Sequence, residues 1–256
     1  MMASEELISG VIELAKRFNT GLTLHLAEYQ GEVDYTLTKH GKRPLEYMLE
    51  CGLNDIKPMV IAHGVFLSPR EINMVKKYGL GICWCPTVDS WLMGVHWAFL
   101  EDVDDVVIGI GSDGASWNRL DLLHEAKVAK AIAKALDNAI MYYKAGLSSQ
   151  TLLNMVTGSR GLIVGERVGR LERGYSADIV VLDLKNIRNL PIHDPVDLVV
   201  NYVEGDSVND VIIDGRFVLK DGEMLTVDEG EVVKRIIDYE SDIKDTLKEL
   251  MKAIKR

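Results

Sequence analysis

Four short apolar runs, each followed by a helical stretch, occupy the first 113 residues: GLTLHL (21–26), MVIAH (59–63), LGICW (80–84) and VVIGIGSD (106–113). They are apolar on both faces, which suits strands of a parallel sheet covered by helices. The intervening segments carry helix signals. Over 4–18, Ser4 is placed to cap, Glu5 and Glu6 sit in the first turn, and Leu7, Ile8, Val11, Ile12, Leu14 and Ala15 recur at helical spacing. Helical stretches follow at 31–40 and 44–51, with Pro44 in a first turn and Gly52 as a stop. Ser68-Pro69-Arg70-Glu71 is a capping box that opens a helix ending near Gly79. A long helix is expected from about Leu120 to Ala145, closed by Gly146, and a shorter one from Ser149.

Three of the four runs end in a residue able to do chemistry: His25, His63 and Asp113. Polar residues at the C-terminal ends of parallel strands are where α/β enzymes keep their sites. Singly, each is weak. A histidine at a strand end is commonly structural, and Ser112-Asp113-Gly114 alone reads as a turn. Together with Glu28 they offer the His, Glu, His and Asp set that metal-assisted hydrolysis needs.

The pattern changes after Arg160. ADIVVLD (177–183) and VNDVIIDGRFVLKDG (208–222) read as antiparallel strands, with Asp214-Gly215 as a two-residue hairpin turn. From Glu229 to Arg256 an amphipathic helix gathers Val233, Ile236, Ile243, Leu247, Leu250 and Ile254 on one side. The expected organisation is an α/β region over 1–160, a small β portion over 161–228, and a terminal helix over 229–256. A closed (β/α)₈ barrel takes about 250 residues. Only four βα units precede the change to β structure, so the sheet is either a small doubly wound one or part of a barrel.

Charge and composition exclude several classes. The net charge of −10 argues against a general nucleic-acid binder. No apolar run approaches the roughly 18 residues that span a bilayer, and MMASEELISG lacks the pattern of a secretory signal. Three irregularly spaced cysteines (Cys51, Cys83, Cys85) form no disulfide framework, which fits a reducing cytoplasm.

The order His25-x-x-Glu28, then Ala62-His63, then Ser112-Asp113-Gly114-Ala115 resembles the amidohydrolase superfamily, in particular its deaminase and chlorohydrolase group. Within that group the resemblance extends to the 5′-methylthioadenosine/S-adenosylhomocysteine deaminases. It is carried by HLAEYQGEVDYTLTKHGKRPLEYMLECG, IAHGVFLSPREINMVKKYG, GSDGASWNRLDLLHEAKVAK and GRLERGYSADIVVLD, and covers nearly the whole chain. It implies a partial (β/α)₈ TIM barrel, equivalent to strands five to eight, with part of the family's small C-terminal β domain. It implies His25 and Asp113 as ligands of one Zn²⁺ or Fe²⁺. Glu28 matches the general acid/base, and His63 the histidine that orients water and, as neutral imidazole, donates to a new oxygen. The implied reaction is hydrolytic deamination of an aminated purine or related heterocycle. Dechlorination is the alternative, since both replace a ring substituent by hydroxide.

Two departures stand beside the matches. The family's first barrel strand supplies two metal ligands as His-x-His, whereas the six histidines here (25, 40, 63, 96, 124, 193) include no such pair. The resemblance therefore implies a C-terminal portion that needs a separate N-terminal half. The rival is a non-catalytic remnant that serves as a self-associating module. The family's His-x-Pro-x-Ser-Asn loop is also altered, to Trp84-Cys85-Pro86-Thr87-Val88-Asp89-Ser90-Trp91.

The remaining polar residues have ordinary readings. Trp91 and Trp117 either stack on a planar base or pack loops. Cys83-Trp84-Cys85 puts two thiols on one strand face, either as soft-metal ligands or, as is commoner, as small buried hydrophobes. His40 and His124 are expected in solvent, His96 in a loop or short helix, and His193 in a loop of the β portion. Glu101-Asp102-Val103-Asp104-Asp105 either binds a divalent cation or, as is commoner, forms a solvated loop before the fourth strand.

Overall fold

The computed structural model describes residues 3–94, 100, 103–115, 119–140, 147–158, 167–185 and 187–254. His96, Glu101, Asp102, Trp117 and the end of the helix expected at Ala145 lie outside them. The chain divides into two compact units: 1–175 with 184–207, and 176–183 with 208–256.

The first unit alternates strand and helix from its start. Helix α1 (Glu5–Phe18) is capped by Ser4, whose Oγ accepts from Leu7 N at 3.2 Å. It is followed by β1 (Leu22–Leu26), α2 (Gln30–His40) and α3 (Pro44–Glu50). Strand β2 (Met59–His63) leads into α4 (Pro69–Tyr78), and β3 (Gly81–Trp84) into α5 (Pro86–Leu92). Strand β4 (Val107–Ile110) precedes α6 (Leu122–Ile140), α7 (Ser149–Thr157) and, beyond a 3₁₀ turn at Ile187–Asn189, α8 (Pro195–Asn201). The four strands form a sheet in the order β1-β2-β3-β4, every pair parallel. Ile61, Ile82 and Ile108 on β2, β3 and β4 are buried, as are Leu45, Ile72, Val75, Ala129 and Leu152 on the helices. Runs apolar on both faces fit a sheet packed on both sides.

The capping box at Ser68 is present and does more than cap. Glu71 is fully buried, and its carboxylate accepts from Ser68 N, Ser68 Oγ, Leu45 N and Arg43 Nε, the last at 2.6 Å. Arg43 also donates to the Phe66 carbonyl. One carboxylate thus fixes the start of α4, the start of α3 and the loop after β2.

The structure differs from expectation in several places. Strand β4 ends at Ile110, because Gly111 to Asp113 turn away and Asp113 takes a left-handed φ of 57°. The loop expected after β3 contains α5, since Pro86 sets its first turn and Asp89 Oδ2 accepts from Cys85 N at 3.2 Å. The segment of Pro191-Ile192-His193-Asp194-Pro195 belongs to the first unit, where Asp194 caps α8 through Val196 N and Asp197 N. His40 is half-buried and stacked on Tyr47 with ring centroids 3.9 Å apart, and His124 Nδ1 is buried, so neither is simply solvated.

The second unit carries β5 (Ile179–Leu182), β6 (Val208–Ile213), β7 (Arg216–Lys220) and β8 (Glu223–Met224), antiparallel and in that order. Asp214 and Gly215 join β6 to β7 with φ of 48° and 75°, the two positive values of a type I′ hairpin turn. Helix α9 (Glu229–Ile254) follows, with Val233, Ile236, Ile243, Leu247 and Leu250 exposed. No helix among the described residues is long and apolar enough to cross a membrane.

Candidate metal and catalytic site

The parallel register aligns Leu26 with His63, so the ends of β1 and β2 lie side by side. At each of three strand ends a residue other than glycine adopts positive φ: Ala27 (52°), His63 (69°) and Asp113 (57°). Such conformations cost of order 1 kcal/mol or more each, and they cluster where side chains must be aimed. Here they turn the chain at the edge where His25, Glu28 and His63 converge.

His25 Nδ1 lies 3.1 Å from Glu28 Oε2, and His63 Nε2 lies 4.0 Å from Glu28 Oε1. The two imidazoles meet edge to face, with centroids 4.5 Å apart. One ligand atom from each of His25, Glu28 and His63 falls within 4.8 Å of the others, the one three-donor cluster found among the described residues. His25 is exposed, Glu28 half-buried and His63 buried. Glu28 is held from behind: its backbone N donates to Glu32 Oε2 at 3.1 Å. Glu32 is buried, and that burial raises its carboxyl above the ordinary range.

Asp113 stands apart from this cluster. Its Oδ1 accepts from Gly114 N at 2.6 Å, although its charge is felt at His63. Of the four residues singled out in sequence, three are therefore in one donor group and the fourth is a neighbour.

Asp89, which the sequence places only within the altered loop after β3, is the fourth close partner. It is buried, with Oδ1 2.7 Å from His63 Nδ1 and Oδ2 accepting from Cys85 N. Pro86 followed by an acid three residues on is a helix-start signal that would have located it. Burial pushes the Asp89 carboxyl up. Burial pulls His63 down, but the hydrogen bond and charge of Asp89, with Glu28 and Asp113 behind, outweigh it and leave the imidazole above its ordinary value. Both shifts favour the pair holding two protons and no net charge, the form that burial penalises least. In that form Nδ1 and Asp89 share one proton and Nε2 carries the other, facing Glu28. A neutral imidazole donating its Nδ1 proton to ionised Asp89 has no proton on Nε2. The donor role expected for neutral His63 therefore depends on the extra proton that Asp89 retains in the pair.

Trp84, at the position of the family's loop histidine, is fully buried, and Trp91 is exposed. Thr87 N donates to Glu125 Oε2 at 2.9 Å, tying α5 to α6.

A parallel α/β sheet thus carries, at its C-terminal edge, imidazole and carboxylate groups from His25, Glu28 and His63 that could hold a metal ion. Residues 1–218 match the amidohydrolase family, and the chain belongs to it. Among curated relatives, it is 32% identical over 230 residues to a 5-methylthioadenosine/S-adenosylhomocysteine deaminase of Pyrococcus abyssi, covering 89% of this chain and 53% of that one. It is 34% identical over 238 residues to a 5′-deoxyadenosine deaminase of Methanopyrus kandleri, covering 90% and 53%. Among solved structures, an adenosine deaminase from Xanthomonas campestris with bound zinc matches with a TM-score of 0.86 at 28% identity, covering 95% of this chain and 55% of that one. Atrazine chlorohydrolase from Arthrobacter aurescens shares the fold, with a TM-score of 0.76 at 22% identity over 91% and 51%. The chain spans about half the length of the curated relatives it matches.

Proposed function

We propose that this chain is the C-terminal half of a (β/α)₈ amidohydrolase whose complete site deaminates an aminated purine or related heterocycle. In this reading β1 to β4 correspond to barrel strands five to eight. The observation that carries it is the convergence of His25, Glu28 and His63 within 4.8 Å at two adjacent strand ends. Imidazole and carboxylate ligands of the kind His25 and Asp113 offer suit Zn²⁺ or Fe²⁺ rather than Mg²⁺ or Ca²⁺. His25 and Asp113 would hold the ion, and a bound ion of this kind supplies Lewis-acid activation of water.

The chain's own residues have defined tasks. Glu28 takes a proton from water and delivers it to a ring nitrogen. The His63–Asp89 pair presents Nε2–H to the developing oxygen. Atoms balance as ring–NH₂ plus water giving ring–oxo plus ammonia. A segment with a His-x-His strand, such as the family's N-terminal half carries, would complete the ligand set, and the chain's setting would be the cytoplasm.

Co-expression with such a half from a family member tests this. Ammonia release from 5′-deoxyadenosine, lost in Glu28→Gln, supports it. Chloride release from a chlorinated triazine without ammonia release would move the activity to dechlorination. A metal-free chain that self-associates and gains no activity with any N-terminal half would favour the second reading, a non-catalytic remnant.

A further inference from the structure

Cys83 and Cys85 take no part in the proposed hydrolysis, yet their placement is specific. The sheet register aligns His25 with Ala62, Ala62 with Cys83, and Cys83 with Gly109. Residues aligned across parallel strands share a face, so Cys83 stands on the face of His25, two strand spacings or about 10 Å away. Only the methyl of Ala62 intervenes in that row. Cys85 lies two residues on and returns to the same side.

Gly111, next to β4, brings the two sulfurs together. A Cβ built there would lie 2.7 Å from Cys83 Sγ and 3.2 Å from Cys85 Sγ. Both thiols therefore occupy the space that a side chain at 111 would fill. Cys83 is half-buried, whereas Cys85 is buried. The Cys85 thiol donates to Cys83 and, with His63 nearby, holds Cys83 below the ordinary thiol range. Cys85 is pushed up in return.

We propose that Cys83 and Cys85 form a dithiol site for a thiophilic centre satisfied by two sulfur ligands, such as monovalent copper. The three-donor cluster of His25, Glu28 and His63 includes neither thiol. Two sulfurs that belong to no three-donor group among the described residues suit a two-coordinate soft ion better than tetrahedral zinc. Binding Cu⁺ displaces the thiol protons and needs no oxidant. An organoarsenical probe reports the same dithiol covalently. Phenylarsine oxide and two thiols give a dithioarsenite and water: two S–H bonds break, two As–S bonds form, and oxygen leaves with both protons.

The test uses the full reduced chain. Intact mass after phenylarsine oxide is expected to show one adduct in the parent and in Cys51→Ser, and none in Cys83→Ser or Cys85→Ser. Titration with Cu⁺ against a chromophoric chelator is expected to give one ion per chain. Affinity should fall about a hundredfold or more in either single variant, because the second linked donor is lost. Should the variants fail to fold, the parent alone decides: arsenical must protect Cys83 and Cys85, but not Cys51, from iodoacetamide. No parent adduct, an adduct that survives both substitutions, or protection confined to Cys51 overturns the proposal.

Discussion

Asp89 Oδ1 sits 2.7 Å from His63 Nδ1, with both side chains almost wholly removed from solvent. The contact sets which face of the imidazole is free, because Nδ1 is occupied and only Nε2 can meet Glu28. Asp89→Ala leaves two buried N–H groups, His63 Nδ1 and Cys85 N, without acceptors. It is expected to cost about 3–5 kcal/mol, the usual penalty for breaking a buried charged pair. Asp89→Asn keeps one acceptor and sets its amide against Cys85 N, at a cost of about 1–3 kcal/mol. Urea unfolding measures both. An Asp89→Ala loss below 1 kcal/mol would show the pair to be uncoupled from folding.

The same pair has a pH signature. His63 and Asp89 both stand above their ordinary values, so the folded state holds protons that the unfolded chain releases. The stabilisation from His63 is full below the unfolded histidine value of about 6.5 and is lost as pH rises through the higher folded one. The advantage of the parent over Asp89→Asn should therefore shrink from pH 6 to pH 9. In ¹⁵N spectra of the imidazole, Asp89→Asn should change the protonation of His63 at neutral pH while His40 stays as it was.

Glu71 offers a prediction away from the site. Four donors converge on its buried carboxylate, including Arg43 Nε at 2.6 Å. Glu71→Ala strands the half-buried guanidinium and two backbone N–H groups, and is expected to cost about 3–5 kcal/mol. Arg43→Lys keeps the charge but cannot reach both Glu71 and the Phe66 carbonyl, and should cost about 1–2 kcal/mol. Chemical denaturation that ranks Arg43→Lys as the more damaging would contradict this assignment.

What the sequence made legible was local. Ser4, Ser68, Pro44 and Asp214-Gly215 each announce their element through neighbours a few residues away, and each is found doing so. His25, Glu28 and His63 were readable because parallel strands bring their C-terminal ends to one edge. The long-range roles of Asp89 and Glu71 were not, since beyond their own helix starts they meet partners 26 and 28 residues away. Helix α8 escaped because the segment around His193 is expected to be a loop of the β portion, although a capping acid before a first-turn proline is a helix start. Asp113 was placed near the site but not in the donor cluster. The left-handed turn at its backbone, invisible in sequence, decides where its carboxylate points.

Zinc should distinguish the three-donor cluster from an unrelated histidine pair. The chain alone is expected to bind one Zn²⁺ weakly, because His25 and Asp113 supply two protein ligands where a site with an open position takes three. His25→Ala should lower that affinity by about tenfold or more, as loss of a donor or its close support generally does. His193→Ala, outside the cluster, should leave it unchanged. Isothermal titration at pH 7.5 reads both, and equal affinities in the two variants would remove the cluster as a metal site.

The last prediction concerns Glu125, buried on α6 with Oε2 accepting from Thr87 N and Oε1 unpartnered among the described residues. Burial raises its carboxyl above the ordinary range. A raised carboxyl means that the folded state binds a proton more readily than the unfolded one, so stability falls as pH rises through the folded value. Glu125→Gln retains an acceptor for Thr87 N and removes the cost of burying charge. The variant should therefore gain stability over the parent at pH 8 and lose that gain below about pH 4, where the unfolded carboxyl is itself protonated. Thermal melts across that range give the sign directly. A variant less stable than the parent at pH 8 would mean that the ionised carboxylate is compensated by a partner the burial argument leaves out.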